Sequence, residues 1–141
     1  MAIIQRTYLN QTNNPMYFAD LDLDLTLNPG SGDLALLKND NAIRRSVRNL
    51  VLLNFNDKRF HPSVGSGVRA KLFSLASPDT GGQIQTAIET VIKNFEPRVQ
   101  LQTVNVVQSP DETGYNVTIT FYLLNSLTTL QTVSFFLSLV R

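Results

Sequence analysis

A chain of 141 residues, 43% of them apolar, has the material for one packed core and is too hydrophobic for a disordered segment. A formal net charge of +1 supplies no field to gather nucleic acid, and no run approaches the roughly 20 apolar residues of a membrane span, so neither nucleic acid nor membrane is an expected partner. The absence of cysteine excludes a disulfide framework and thiolate metal sites.

Residues 1–14, MAIIQRTYLNQTNN, read as an N-terminal arm whose apolar character ends too soon for a secretory signal. Residues 15–141 read as a single domain. In YFADLDLDLTL, residues 17–27, Leu21, Leu23, Leu25 and Leu27 alternate with Asp20, Asp22, Asp24 and Thr26. Period two predicts a strand with one apolar and one acidic face, ended by Asn28-Pro29-Gly30-Ser31-Gly32. Asn39 or Asp40 is placed to cap a helix reaching Leu53, with Ile43, Val47, Leu50 and Val51 inward and Arg44, Arg45 and Arg48 on the other side. The stretch 54–67, NFNDKRFHPSVGSG, reads as a loop, followed by a short helix with Val68, Leu72 and Leu75 inward.

Ser77-Pro78-Asp79 opens the main helix. Ile84, Ala87, Ile88, Val91, Ile92 and Phe95 recur at helical spacing, and Pro97 forbids continuation while turning Glu96 away from helical geometry. Three strands are predicted after it. In the first, Val99 to Gln108, the alternation changes phase near Thr103–Val104, as a bulge would make it. Pro110-Asp111-Glu112-Thr113-Gly114 forms a hairpin loop. Tyr115, Val117, Ile119, Phe121 and Leu123 mark the second strand, and Val133, Phe135, Leu137 and Leu139 share one face of the third, with Phe136 and Val140 on the other. The expected fold is α+β: helices packed against a small, largely antiparallel sheet, with an N-terminal strand and three C-terminal strands.

Catalytic chemistry finds little support. Glu96 is the most conspicuous carboxylate, but Arg98 lies two residues away and would favour its ionised form, the wrong direction for a general acid. A glycosidase needs a second carboxylate, and nothing in the sequence pairs Asp57 or Asp111 with Glu96. Asp20, Asp22 and Asp24 lack the turn glycine and distal glutamate of a calcium loop and read as a solvated face or one that meets a basic partner. His61 is the only histidine and precedes a proline in a loop, where a local structural role is expected. No phosphate-binding glycine fingerprint occurs. No enzyme activity, metal or cofactor is expected.

An ordered set of motifs remains. Lys58, Arg59, Phe60, Pro62 and Gly65 form a basic loop with a Pro-x-x-Gly element, Leu72-Phe73 follows, and Glu96-Pro97-Arg98-Val99 ends the main helix. From about Arg44 to the C-terminus, this set resembles the small baseplate wedge proteins of contractile-tailed phages, the so-called lysozyme-like baseplate family, with counterparts in type VI secretion and other contractile injection systems. The resemblance implies a non-enzymatic structural part of a virion tail baseplate, assembled in the host cytoplasm.

 Implied partners are other baseplate wedge proteins, the tail sheath protein and the tail tube, at six copies per baseplate ring. Glu96, Pro97 and Arg98 would dock on the wedge core, the motif loop at 58–65 would carry partner contacts, and the first ring of sheath would start by strand pairing. From the residues, the candidate pairing edges are strand 17–27, with Leu21, Leu23 and Leu25, and strand 130–140, with Val133, Phe135 and Leu137. The competing reading is a peptidoglycan hydrolase using Glu96.

Overall fold

The computed structural model describes residues 18–22, 24–73, 77–111, 113–124 and 126–139, with the backbone alone at 78 and 126–129. The arm expected at 1–14 and the positions Leu23, Leu75 and Val140 lie outside these residues. The elements are β1 (Ala19–Leu21), β2 (Leu36–Lys38), α1 (Asp40–Leu52), α2 (Val68–Lys71), α3 (Pro78–Phe95), β3 (Val99–Gln108), β4 (Gly114–Leu123) and β5 (Ser126–Ser138). The fold is α+β, with antiparallel sheets β1-β2 and β3-β4-β5.

The expected long strand at 17–27 is corrected. Pairing stops at Leu21, and its partner β2 carried no clear alternation in the sequence. The cause is local. The Asp22 carboxylate accepts from the Thr26 hydroxyl at 2.5 Å and from the Asp24 backbone N–H at 3.2 Å, a side-chain turn that competes with a ladder. Leu25 then takes a φ of 53°, in the left-handed region, so it lies outside the strand. Leu27 regains only an isolated bridge to Leu34.

The helices follow their patterns. Ser77 caps α3 by accepting from Thr80 N–H at 3.1 Å, and Pro78 occupies the first turn, where its missing N–H costs nothing. Asn39 precedes α1, but its side chain makes no capping bond. Ile43, Val47 and Val51 of α1 pack with Ile84, Ile88, Val91 and Ile92 of α3 over the inward face of β4, which supplies Tyr115, Val117, Ile119, Phe121 and Leu123. Phe95, expected inward, is instead at the rim and exposed. The phase change in β3 is a bulge between Leu101 and Thr103, which returns Val104 and Val106 to the helix side.

Candidate functional site

Glu96 is the C-cap of α3, with φ −125° and ψ 76°, and Pro97 follows it on the surface. That geometry turns the Glu96 side chain inward, where it is 3% exposed. Arg98 closes back on it: Nε donates to Oε1 at 2.6 Å and Nη2 to Oε2 at 2.7 Å. Ser46 of α1 donates its hydroxyl to Oε2 at 2.6 Å and accepts from Arg98 Nη2 at 3.1 Å. Arg98 also stacks over the Phe18 ring, 5.3 Å from its centroid. Burial alone would raise the Glu96 pKa, but the hydrogen bonds from Arg98 and Ser46 outweigh it and hold the carboxyl below its ordinary value. The expected docking trio is therefore asymmetric. Glu96 is consumed within the fold, while Pro97 is exposed and the Arg98 side chain is 36% exposed, its Nη1 without a hydrogen-bond partner among the described residues.

The acidic face of DLDLD is also answered within the chain. Arg45 Nη1 bonds Asp22 at 2.8 Å and Asp24 at 3.0 Å. The Thr26 hydroxyl, the Asp24 N–H and Arg45 together hold the Asp22 carboxyl below its ordinary range against its burial. Asp57, one candidate second carboxylate, accepts from the backbone and side chain of Asn54, and Asp111 is exposed in the β3–β4 turn.

The motif loop presents Lys58, Arg59, Phe60, His61 and Pro62 to solvent. Phe60 is 95% exposed and has a φ of 66°. Gly65 anchors the loop at its base: a Cβ there would lie 2.6 Å from the Asn54 carbonyl carbon. Ser66 completes the anchor by donating to Val51 O at 2.5 Å.

At the sheet margin, Val133, Phe135 and Leu137 point into the core side of β5. Leu139 N–H donates to Thr113 O at 2.8 Å, and the register pairs Leu137 with Tyr115 and Phe135 with Val117. In an antiparallel ladder the backbone groups of alternate residues face opposite ways. Thr132, Ser134, Phe136 and Ser138 therefore turn their N–H and C=O groups to the edge that pairs with no strand among the described residues. Of these, only Phe136 is marked by the sequence pattern; Thr132, Ser134 and Ser138, like Ser46 and Phe18, are not. Ser46 lies 50 positions from Glu96 and carries no local motif, whereas the outward set of β5 follows from strand parity once one ladder bond is known.

The sequence profile described as Baseplate wedge protein gp25 matches residues 38–126. The curated Baseplate wedge protein gp25 of Enterobacteria phage T4 is 23% identical over 109 residues, covering 77% of this chain and 82% of that protein. In fold, the chain is similar to a component of the anti-feeding prophage baseplate, with TM-score 0.67 and 23% identity over 76% of this chain and 86% of the other. It is also similar to a candidate tail lysozyme from Geobacter sulfurreducens, with TM-score 0.63 and 20% identity over 70% and 89%. The profile match spans α1, the basic loop and the Glu-Pro-Arg junction, and covers well over half of the sequence: the chain belongs to the baseplate wedge protein gp25 family.

Proposed function

We propose that this protein is a non-enzymatic structural component of a contractile-tail baseplate that joins the wedge core to the first ring of sheath and starts sheath assembly by strand pairing. The observation that carries the reading is the margin of β5, unpaired among the described residues, where Thr132, Ser134, Phe136 and Ser138 direct backbone donors and acceptors outward. An added strand gains a ladder there while β5 stays held by its inward side chains. β1 is a second candidate edge, limited to Ala19–Leu21.

Wedge docking is assigned to Pro97, the outward end of Arg98 and the exposed loop at Lys58, Arg59 and Phe60, with Glu96 as the internal brace that holds Arg98 in place. A bidentate fork fixes the guanidinium more tightly than a single bond would. Family membership supports other baseplate wedge proteins as partners. Contact with the tail tube, six copies per ring, assembly in the host cytoplasm, and residues 15–141 acting as one wedge domain behind a 1–14 arm belong to the same proposal. The hydrolase reading is disfavoured because Glu96 is enclosed and held ionised, whereas a general acid must keep its proton near neutral pH.

The test is equilibrium binding of the purified chain to wedge and sheath subunits of the same particle. Ser134→Pro removes an outward N–H without touching the β4 ladder, and should abolish sheath binding while wedge binding persists. Phe60→Ala should do the reverse. A wild-type chain that binds neither subunit, yet cleaves peptidoglycan in a manner dependent on Glu96, would overturn the proposal.

A further inference from the structure

α1 runs beside β5 in the same direction. Asp40 and Arg44, early in the helix, reach Gln131, whereas Val51 and Leu52, at its end, share a hollow with Phe136, Leu137 and Ser138. Between them lies an open cleft of about 430 Å³, where Arg44, Arg45 and Arg48 face Thr132, Val133 and Ser134. Residues from both faces of β5 line this cleft, so it lies along the strand's edge, and no carboxylate among the described residues lines it.

The three guanidinium groups are not equivalent. Arg45 is matched by Asp22 and Asp24, and Arg44 is held by Gln131, which in turn donates to Asp40 at 3.0 Å. Arg48 is exposed, and its side chain has no ion pair or hydrogen bond among the described residues. Further along the edge, a hollow of about 330 Å³ is lined by Leu52, Leu72 and Phe136, beside Arg69. Leu52 and Phe136 leave nearly half their surface exposed.

We propose that the segment accepted by the β5 edge is acidic where it passes Thr132–Ser134 and carries a large apolar side chain where it passes Phe136–Ser138. The inference rests on the strand-pairing reading above and names the chemistry of the strand that pairs. Arg44 and Arg48 are one helical turn apart, about 6 Å along the axis. Alternate residues of an extended strand are about 6.6 to 7 Å apart on one face, so carboxylates at i and i+2 match the two cations. The hollow at Phe136 lies about three strand residues beyond Val133, which sets the apolar anchor about three residues from the acidic pair.

The experiment uses the full chain and the purified sheath subunit of the same particle as probe. Binding is measured at low and high salt for wild type, Ser134→Pro, Thr132→Pro, Arg48→Gln, Arg48→Glu and Arg48→Lys, with circular dichroism on each. Wild-type binding should weaken as salt rises. Arg48→Gln should cost about threefold and Arg48→Glu about tenfold, with Arg48→Lys close to wild type. Binding that either proline variant abolishes, but that ignores salt and the charge at position 48, would overturn the acidic strand and leave strand pairing standing. Binding unaffected by both proline variants, or absent in wild type, would overturn strand pairing and the acidic strand with it.

Discussion

Arg98 forks onto Glu96 from two residues away, with bonds of 2.6 and 2.7 Å to the two carboxylate oxygens. Nearest neighbours but one in sequence, these residues are brought face to face because Pro97 ends the helix and reverses the chain between them. Removing the guanidinium leaves a carboxylate that is 3% exposed, with only the Ser46 hydroxyl and the backbone N–H of residue 98 to satisfy it. Arg98→Ala should therefore destabilise the fold by about 2 kcal/mol, below the full cost of a broken buried pair because Arg98 itself is partly open to solvent. Arg98→Lys should recover only part of this, since an ammonium cannot make the fork. Urea denaturation of the three proteins checks the order.

The same pair sets an acid limit. The folded pKa of Glu96 is lowered, so its contribution is fully present above the ordinary glutamate value of about 4.3 and is lost as pH falls through the lower folded value. Wild type should be more stable than Glu96→Gln at neutral pH, and the gap should narrow as pH drops below about 4. Asp22, also lowered, remains in both proteins, so the difference isolates Glu96. Denaturation midpoints measured across the acid range for the pair give the test. A constant gap would mean that ionised Glu96 contributes nothing.

Two glycines should respond in opposite directions. At Gly65 an added Cβ would meet backbone, 2.6 Å from the Asn54 carbonyl carbon and 2.7 Å from the Phe55 nitrogen, and backbone there cannot yield cheaply. Gly65→Ala should cost about 2 kcal/mol. Gly82, within α3, has open space around its Cβ position. Gly82→Ala should stabilise by up to about 1 kcal/mol through helix propensity. Thermal melts of both variants decide it.

Phe60 separates binding from folding. Its ring is almost wholly in solvent, so Phe60→Ala should change stability by less than about 0.5 kcal/mol. Wedge binding should weaken nonetheless. Loss of stability without loss of binding would place Phe60 among the structural residues.

The helices and C-terminal strands were legible because each buries one face against the same core, and burial leaves a period in the sequence. Ile84, Ile88 and Ile92 on α3, and Val117, Ile119 and Phe121 on β4, are such marks. The DLDLDLTL stretch misled for a physical reason. Alternation reports a preference for a half-buried strand, but Asp22 can instead fold its carboxylate onto Thr26 and Asp24 and meet Arg45, and that local network ended the ladder at Leu21.

By itself the sequence determined the α+β class, the core periodicities, the bulge in β3 and the Glu-Pro-Arg stop after α3, because these depend on neighbours within a few residues or on a simple period. Only the tertiary structure decided that Ser46 closes the Glu96 site, that Arg45 meets Asp22 and the still exposed Asp24, and that the arginines of α1 line the edge of β5. Each of these joins residues more than 20 positions apart, and chain packing, which no local pattern encodes, brings them together.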